Sequence, residues 1–195
     1  MKPVRILMFS GSARRDSINQ RLVEVAAKKA KELGAEVDVI NLADFDMPLF
    51  NQDLEADSFP ESARALREKM IAADGLLLAC PEYNGSITPL LKNTIDWTSR
   101  PQENVAEGLV AYHGQVAALI AASPGGLGGM RGLVHVRAIL SGIGVTVIPE
   151  DLALGSAYQA FDENGGLADD RMDQRLDKVV KGLMRTAKAL RQEVS

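Results

Sequence analysis

A short segment near the amino terminus combines hydroxyl, glycine and guanidinium groups at the predicted start of a helix. Residues 10–17 read S-G-S-A-R-R-D-S, and the serine and glutamine of residues 17–20 are three positions apart, as in a capping box. A helix start offers unpaired N–H groups and a partial positive charge, which together favour a bound anion. Hydroxyls donate to phosphate oxygens, and one arginine can bind two of them at once. The segment therefore predicts a phosphate pocket.

The same residues allow a simpler interpretation, in which Ser12, Asp16 and Ser17 only cap the helix and Arg14 and Arg15 lie on a solvated surface. The loop by itself leaves both interpretations open. Two absent motifs narrow the choice of phosphate. Without G-x-x-x-x-G-K-[ST] the loop is not a nucleoside-triphosphate loop, and without G-x-G-x-x-G it suits a dinucleotide poorly. A terminal monophosphate, such as that of flavin mononucleotide (FMN), suits this hydroxyl-rich turn better.

Two later loops carry groups suited to a flat ligand. Residues 81–86, P-E-Y-N-G-S, combine an aromatic ring, an amide that can donate and accept, and a glycine that lets the backbone approach a ligand. Residues 123–129, S-P-G-G-L-G-G, place four glycines in five positions, which leaves space for something broad and flat. A flavin ring needs such a flat partner and backbone hydrogen bonds. The alternative interpretation is an ordinary turn in the first loop and a flexible turn in the second.

The remaining residues that could do chemistry are few. Cys80 is the only cysteine, so an intrachain disulfide and a thiolate metal cluster are excluded, and its place at the end of a strand favours packing as a small hydrophobe. His113 and His135 are the only histidines and have no evident acid or thiol partner in the sequence. The nucleophile motif G-x-S-x-G is absent. No metal site and no catalytic nucleophile are predicted.

Apolar runs predict the elements that must position these loops. Residues 4–9, 75–80, 115–122 and 145–148 are almost wholly apolar, as in strands buried on both faces, and residues 35–40 read as a second, outer strand. A helical pattern follows each strand, so the chain is expected to form a parallel sheet with helices on both faces. Ligands of such sheets bind beyond the carboxyl ends of the strands. The three unusual loops follow the first, third and fourth strands.

The connections between these elements also carry information. Residues 41–57 and 151–166 are predicted to be irregular, and residues 102–114 to be a polar connection. Residues 58–61, S-F-P-E, resemble a second capping box. Apolar residues are concentrated at 45–50, which read F-D-M-P-L-F. So many apolar groups in a connection suggest packing against a partner or over a site rather than a loose linker.

Length, composition and charge bound the remaining possibilities. A chain of 195 residues suits one compact domain, 1–195, and a hydrophobic content of 46% excludes an intrinsically disordered protein. The net charge of −4 gives no reason to expect nucleic-acid or membrane binding. The chain enters its first strand directly after Met1-Lys2-Pro3, without a secretory core or a spanning segment, so a cytoplasmic location is expected.

Three motifs in order make the sequence similar to a known family. Residues 11–19 contain G-S-x-R-x-x-S-x-N, residues 81–86 contain P-E-Y-N-x-S, and residues 91–97 contain L-K-N-x-I-D-W. With these motifs the chain resembles the NADPH-dependent FMN reductases, which are flavodoxin-like, and most of all the bacterial quinone and chromate reductases among them. The resemblance runs over nearly the whole chain.

The resemblance implies a fold and a set of site residues. The fold is an α/β flavodoxin-like three-layer sandwich, with a five-stranded parallel sheet in the order 2-1-3-4-5 and helices on both faces. The residues implied to bind FMN fall into three groups: Gly11, Ser12, Arg14, Ser17 and Asn19 at the phosphate; Pro81, Glu82, Tyr83, Asn84 and Gly85 at the ribityl chain and ring; and Ser123, Gly125 and Gly126 at the far side of the ring.

The resemblance also implies an activity. NADPH or NADH would pass hydride to bound FMN, and a quinone or a similar small acceptor (chromate, azo compounds or free flavin) would then take the electrons. One alternative is a flavodoxin-type carrier that exchanges single electrons with protein partners, although such carriers are usually more acidic than this chain, whose net charge is −4. Another is a regulatory protein with an empty pocket.

Self-association is expected on two grounds. The apolar segment 45–50 and the helix ending in Trp97 offer more nonpolar surface than one sheet face needs. Relatives by resemblance assemble with their flavin sites near the subunit interface. A homodimer or homotetramer is therefore predicted.

Overall fold

A five-stranded, all-parallel sheet forms the middle layer of the protein. The computed structural model describes residues 2–101 and 108–193. The strands lie in the order β2-β1-β3-β4-β5, which confirms the predicted sheet. Their bounds are β1 (Arg5–Ser10), β2 (Glu36–Asn41), β3 (Gly75–Ala79), β4 (Val116–Ala122) and β5 (Thr146–Leu154).

Helices cover both faces of the sheet. In chain order they are α1 (Ile18–Glu32), α2 (Gln52–Asp57), α3 (Glu61–Ala72), α4 (Pro89–Thr98), α5 (Met130–Gly142) and α6 (Asp170–Glu193). One apolar core lies between the sheet and helices α1 and α6, and the other lies between the sheet and helices α3, α4 and α5. The architecture is thus the predicted three-layer sandwich. In the ranges that the structure covers, none of the helices has the length and apolar character needed to span a bilayer.

The first strand shows why the strands read as unbroken apolar runs. Ile6 and Met8 point into the core under α1 and α6, whereas Leu7 and Phe9 point into the opposite core. All four side chains are almost fully buried. Successive side chains of a strand face opposite sides, so a strand covered on both sides must be apolar at every position.

The last strand is longer than its apolar run predicts. We expected residues 145–148 in β5 and an irregular segment from 151 onward, but the strand continues to Leu154. Its pairing with β4 is irregular at this point. Ala117 of β4 pairs with Val147, but Leu119, only two residues later, pairs with Asp151, four residues later in β5. Pro149 lies inside this irregularity on an edge strand, where its missing N–H breaks no ladder hydrogen bond. The bulge therefore lets the strand resume where the sequence suggests its end.

Two short helical turns interrupt the connection that we predicted to be irregular. A single 3₁₀ turn spans Leu42–Asp44, and α2 follows before Ser58. Asparagine caps both, because the Asn41 side chain accepts a hydrogen bond from the Ala43 N–H and the Asn51 side chain does the same for Asp53. The prediction for residues 41–57 was wrong in this respect.

The second predicted capping box does not form. Ser58 ends α2, where its N–H donates to the Leu54 carbonyl, and Pro60 is the cap residue of α3, without a side-chain hydrogen bond. The predicted polar connection at 102–114 falls partly outside the described residues, at 102–107. From 108 to 114 the chain forms turns that lead into β4.

The third family motif has a structural purpose within the chain. Trp97 is fully buried, and its indole N–H donates to the Pro48 carbonyl over 2.7 Å. Asn93 accepts from the Phe50 N–H at 2.7 Å and donates to the Pro48 carbonyl at 2.9 Å. The rings of Phe50 and Phe59 meet the Trp97 ring edge to face. These contacts fasten the 45–50 segment to α4, so Trp97 contributes no surface for self-association.

Candidate functional site

Three loops meet at the carboxyl edge of the sheet, beside the point where strand order reverses between β1 and β3. We call them loop 1 (residues 11–17, after β1), loop 3 (residues 81–86, after β3) and loop 4 (residues 123–129, after β4). They enclose a cleft of about 100 Å³. Its lining consists of Ser12, Arg14, Ser17, Ile18, Asn19, Pro81, Glu82, Tyr83, Ala122, Ser123 and Pro124.

Eight of the thirteen predicted site residues therefore line one cleft, and five do not. Gly11 is buried at the start of loop 1, and Asn84 and Gly85 form the tip of loop 3. Gly125 and Gly126 are exposed and follow Pro124 on loop 4, just past the lining. The predicted residues thus lie in one region, with different degrees of access to the cleft.

Loop 1 presents hydrogen-bond donors and an unpaired cation to this cleft. The buried Ser17 hydroxyl caps α1 by accepting from the Gln20 N–H at 3.2 Å. The predicted capping box is only half formed, since the Gln20 Oε1 has no hydrogen-bond partner in the described part of the chain. Ser12, also buried, accepts from the Arg14 N–H at 3.3 Å. As hydroxyls, both keep a proton to donate. The first turn of α1 has no acidic side chain, so the positive end of the helix is left for an anion.

The guanidinium of Arg14 has no protein partner in the described part of the chain. It is exposed, it lines the cleft, and neither an ion pair nor a side-chain hydrogen bond involves it. Likewise, no acceptor within residues 2–101 and 108–193 meets the N–H groups of Ile18 and Asn19 at the start of α1. A free cation and free helix N–H groups at one place can bind a phosphate.

Gly11 serves the packing of loop 1 against α4. Its N–H donates to the Ala79 carbonyl at 2.8 Å, and its own carbonyl accepts from the Thr88 hydroxyl at 2.7 Å. A Cβ at position 11 would lie 3.0 Å from the Leu91 Cβ, so a larger residue would push α4 away. Gly11 thereby fixes the position of the loop, while its contact with a ligand remains a prediction.

Asn19 connects loop 1 to the end of β4. Its side-chain amide donates to the Ala122 carbonyl and accepts from the Ala122 N–H, each over 2.9 Å. One amide hydrogen and the backbone N–H of Asn19 are left for a ligand. This pair of hydrogen bonds fixes the start of α1 relative to the start of loop 4, and so sets the width of the cleft.

Loop 3 is a tight two-residue turn with an exposed ring. The backbone groups of Tyr83 and Ser86 exchange two hydrogen bonds of 3.0 Å. Asn84 and Gly85, the two central residues, have φ angles of 52° and 78°, as in a type I′ turn. The Tyr83 side chain is held at the cleft with about half of its surface exposed. The turn therefore presents an aromatic face on a rigid support.

The carboxylate of Glu82 is turned toward the amino terminus of α5. It accepts from the Arg131 Nε at 2.8 Å, from the Arg131 Nη2 and from the Gly132 N–H at 3.1 Å. Burial acts to raise the pKa of Glu82, but these hydrogen bonds outweigh it and hold the pKa below its ordinary value. Glu82 is therefore an ionised clamp between loop 3 and α5. Its pairing with Arg131 left no local signal in the sequence.

A second contact joins the same two elements. The Ser86 hydroxyl and the His135 Nδ1 form a hydrogen bond of 2.9 Å. His135 is exposed on α5, and its contact with loop 3 was not predicted from the sequence. Loop 3 is consequently attached to α5 at both of its ends.

The glycines of loop 4 divide into an open pair and a packed pair. A Cβ on Gly126 would meet no atom within 4 Å, and one on Gly125 would meet only the Ser123 hydroxyl, at 3.7 Å. In contrast, a Cβ on Gly128 would lie 2.6 Å from the backbone of Ala153, and one on Gly129 would lie 2.8 Å from the Ala121 Cβ. The prediction that all four glycines leave space for a flat ligand was therefore wrong for the second pair.

The end of β5 supports loop 4 and was missed from the sequence. The Ser123 N–H donates to the Leu154 carbonyl at 3.0 Å, and the Ala157 N–H donates to the Ser123 carbonyl at 3.1 Å. A Cβ on Gly155 would lie 2.7 Å from the Gly126 carbonyl oxygen. A glycine directly after an apolar strand was the available signal, but the strand was predicted to end earlier.

Other reactive groups are absent from the cleft. Cys80 is fully buried in the core, where burial strongly raises the pKa of its thiol. Among the residues that the structure describes, no cluster of three His, Cys, Asp or Glu side chains could hold a metal ion. The site therefore offers hydrogen-bond donors and a cation at loop 1, and the Tyr83 ring and exposed glycine backbone at loops 3 and 4. That combination fits a flat ligand with a terminal phosphate.

Comparisons with known proteins agree with this interpretation. The family model described as NADPH-dependent FMN reductase matches residues 4–159. The chain is 36% identical to an NAD(P)H-dependent FMN reductase of Pseudomonas aeruginosa over 96% of this chain and 97% of that protein. It is 35% identical to a probable NADPH:quinone oxidoreductase of Oryza sativa over 93% of this chain and 88% of the relative.

A solved structure gives the same result in three dimensions. The flavoenzyme NAD(P)H:acceptor oxidoreductase FerB of Paracoccus denitrificans superposes with a TM-score of 0.81 at 27% sequence identity. The superposition covers 95% of this chain and 98% of that one.

Proposed function

The chain belongs to the NADPH-dependent FMN reductase family, and from this premise we propose that loops 1, 3 and 4 hold FMN for the reduction of quinones by NAD(P)H. The family makes the protein an oxidoreductase that uses FMN, with NADPH or NADH as co-substrate. The proposal adds the binding residues and the acceptor.

The single observation that carries the proposal is that the Arg14 guanidinium and the first N–H groups of α1 lie together without partners among the residues the structure describes. A phosphate would accept from these N–H groups, from the hydroxyls of Ser12 and Ser17, and from Arg14. Arg131 and Arg137, for example, are held in ion pairs, whereas the Arg14 guanidinium lines the cleft without a carboxylate partner among the described residues. Such a site distinguishes FMN from riboflavin, which lacks the phosphate.

Loops 3 and 4 are proposed to hold the ring. Tyr83 offers an aromatic face, and Asn84 and Gly85 offer amide and backbone groups at the tip of the turn. Ser123, Gly125 and Gly126 offer backbone without large side chains, so a flat group can approach them closely. Pro81 and Glu82 complete the wall between the two ends of the cleft.

The protein's own residues bind and orient in this mechanism. FMN, when bound, would supply the hydride chemistry between NAD(P)H and the acceptor. The chain needs no side-chain acid or base for this, and the described residues of the cleft include no histidine or cysteine. Because Gly125 and Gly126 would lie against only one face of the ring, co-substrate and acceptor would reach the other face in turn. This order of events is a ping-pong cycle.

A quinone is favoured as the acceptor by the surface near the cleft. The side chains of Tyr83, Leu127 and Met130 are each about half exposed, and they form apolar surface beside the two ring loops. Planar apolar acceptors gain from such surface, whereas a small anion does not. The rice relative is named for quinone reduction. Chromate, azo compounds and free flavin remain secondary acceptors in the proposal.

Self-association and location complete the proposal. A homodimer or homotetramer of a single-domain subunit is still proposed, although Trp97 no longer supports it. The support is narrower. It consists of Leu49, which is 80% exposed, and of three exposed apolar side chains on loop 4 and the start of α5, namely Leu127, Met130 and Val134. Light scattering that gives one chain, 21.0 kDa, at micromolar concentration would refute self-association. A cytoplasmic location stays a prediction.

The experiment for the function has two stages. First, the visible spectrum of the purified protein is recorded after titration with FMN, and the flavin released by heat is identified. Second, NAD(P)H oxidation is followed with a quinone at varied concentrations of both substrates. We expect one FMN per chain and parallel-line kinetics. Protein that binds no FMN would overturn the proposal. Protein that binds FMN but exchanges electrons only with protein carriers would favour the electron-carrier alternative.

A further inference from the structure

We propose that Arg131 cancels the charge of Glu82 beside the flavin and thereby raises the midpoint potential of bound FMN. This inference rests on the proposed function, because it takes loops 3 and 4 as the site of the ring. It assigns to two clamp residues an effect on the cofactor's chemistry in addition to their effect on the position of loop 3.

The first step is that a negative charge is buried in the wall of the cleft. Glu82 lines the cleft, and its side chain is only 8% exposed. Its hydrogen bonds to Arg131 and Gly132 keep it ionised against the effect of burial, which alone would raise its pKa. A charge with little water around it acts over a longer distance than a surface charge, because screening is weaker.

The second step is that Arg131 is well placed to neutralise this charge. Arg131 lies one residue into α5, directly after loop 4, and donates from both Nε and Nη2 to one oxygen of Glu82. The other oxygen is bound by the Gly132 N–H. The backbones are also close, since a Cβ on Gly132 would lie 3.4 Å from the Glu82 Cβ. The pair therefore connects loop 3 with the start of the helix that follows loop 4, next to the proposed ring site.

The third step concerns the charge of the flavin itself. Reduction by hydride adds two electrons and one proton, so the ring gains one negative charge unless a second proton follows. An unbalanced carboxylate nearby opposes that gain, and a guanidinium favours it. With both present the local charge is close to neutral. Removal of either partner should then shift the potential, and the two shifts should have opposite signs.

Opposite signs separate this proposal from a purely structural clamp. If the pair only held loop 3 against α5, loss of either partner would disturb the same contact and produce changes in the same direction. Arg131→Gln leaves a carboxylate without its cation, whereas Glu82→Gln leaves a cation without its carboxylate. The double variant Glu82→Gln/Arg131→Gln restores neutrality without the ion pair. Arg131→Lys keeps the charge but loses the two-pronged geometry.

The test is a spectroelectrochemical titration of each variant with saturating FMN. At the wild-type midpoint, the ratio of reduced to oxidised FMN should fall at least about threefold in Arg131→Gln and rise at least about threefold in Glu82→Gln. The double variant and Arg131→Lys should stay close to the wild type. The binding spectrum confirms in each case that FMN is bound.

Three outcomes would overturn the inference: shifts of equal sign in the two single variants, no shift in either, or a shift in Arg131→Lys as large as that in Arg131→Gln. If Glu82→Gln fails to fold or to bind FMN, the comparison of Arg131→Gln with Arg131→Lys decides alone. Wild-type protein that binds no FMN would refute the proposed function, whereas FMN-loaded variants with unchanged potentials would refute only this inference.

Discussion

Loop 1 and loop 4 border the same cleft but offer different kinds of groups. Loop 1 presents side chains, namely the hydroxyls of Ser12 and Ser17 and the free guanidinium of Arg14. Loop 4 presents backbone, and its position depends on close contact with the end of β5. Loop 1 is therefore suited to recognise a ligand by its charge, and loop 4 by leaving space free of side chains. Substitutions in the two walls should therefore fail in different ways.

The largest effect is expected inside loop 4, where the backbone contact with β5 is tightest. Gly128→Ala would put a Cβ 2.6 Å from the Ala153 backbone at a φ of +63°. Overpacking and strain together should lower the free energy of unfolding by about 2–4 kcal/mol. For a chain of this size the midpoint of thermal unfolding should fall by roughly 5–15 °C.

A control separates strain from collision in that prediction. Gly34 has a φ of +84°, but a Cβ there would meet no atom within 4 Å. Gly34→Ala should therefore cost only the conformational strain, about 1 kcal/mol. Equal losses of stability in the two variants would show that the contact with β5 is unimportant.

An intermediate effect is expected at Gly155, on the β5 side of the contact between loop 4 and the end of β5. Gly155→Ala would put a Cβ 2.7 Å from the Gly126 carbonyl oxygen, so loop 4 must move away from β5. FMN affinity should weaken about three- to tenfold, because the bare backbone no longer lies where the ring needs it. Fluorescence titration of the apo protein with FMN measures this. Unchanged affinity would mean that loop 4 does not hold the ring.

A smaller effect, graded with side-chain size, is expected at Gly126, one of the two open glycines of loop 4. Gly126 has space for a Cβ and no positive φ, so Gly126→Ala and Gly126→Val should leave thermal unfolding of the apo protein unchanged. Valine should weaken FMN binding or NAD(P)H oxidation clearly, and alanine to an intermediate degree, because the side chain intrudes on the ring. Wild-type affinity and turnover in both variants would make this half of loop 4 only a turn.

The sequence was most informative where side chains act near their own position in the chain. The apolar run of β1, the hydroxyl-rich turn that follows β1 and the Ser17 cap are local features, and each was predicted from its own residues. The order of the strands and the assignment of FMN came from resemblance to a family. Most features of loop 1 could therefore be predicted from the sequence.

The packing of loop 4 was harder to predict because it depends on residues distant in the sequence. Gly126 and Gly128 look alike in the sequence, yet only the second faces the backbone at Ala153. The bulge at Pro149 extended β5 past its predicted end and hid the supporting role of Gly155. Glu82 and its partner Arg131 are likewise far apart in the chain, and no local pattern connects them.

The most direct measurement of phosphate recognition by loop 1 compares FMN and riboflavin in two neighbouring arginine variants. Arg14 lines the cleft, whereas Arg15, which is also exposed, does not, so Arg15→Ala is a matched control. A charge-assisted hydrogen bond contributes about 1.5–3 kcal/mol. Arg14→Ala should thus weaken FMN at least about tenfold while riboflavin affinity hardly changes, and Arg15→Ala should change neither. Equal losses for both flavins in Arg14→Ala, or equal losses of FMN in both variants, would contradict the assignment of the phosphate to loop 1.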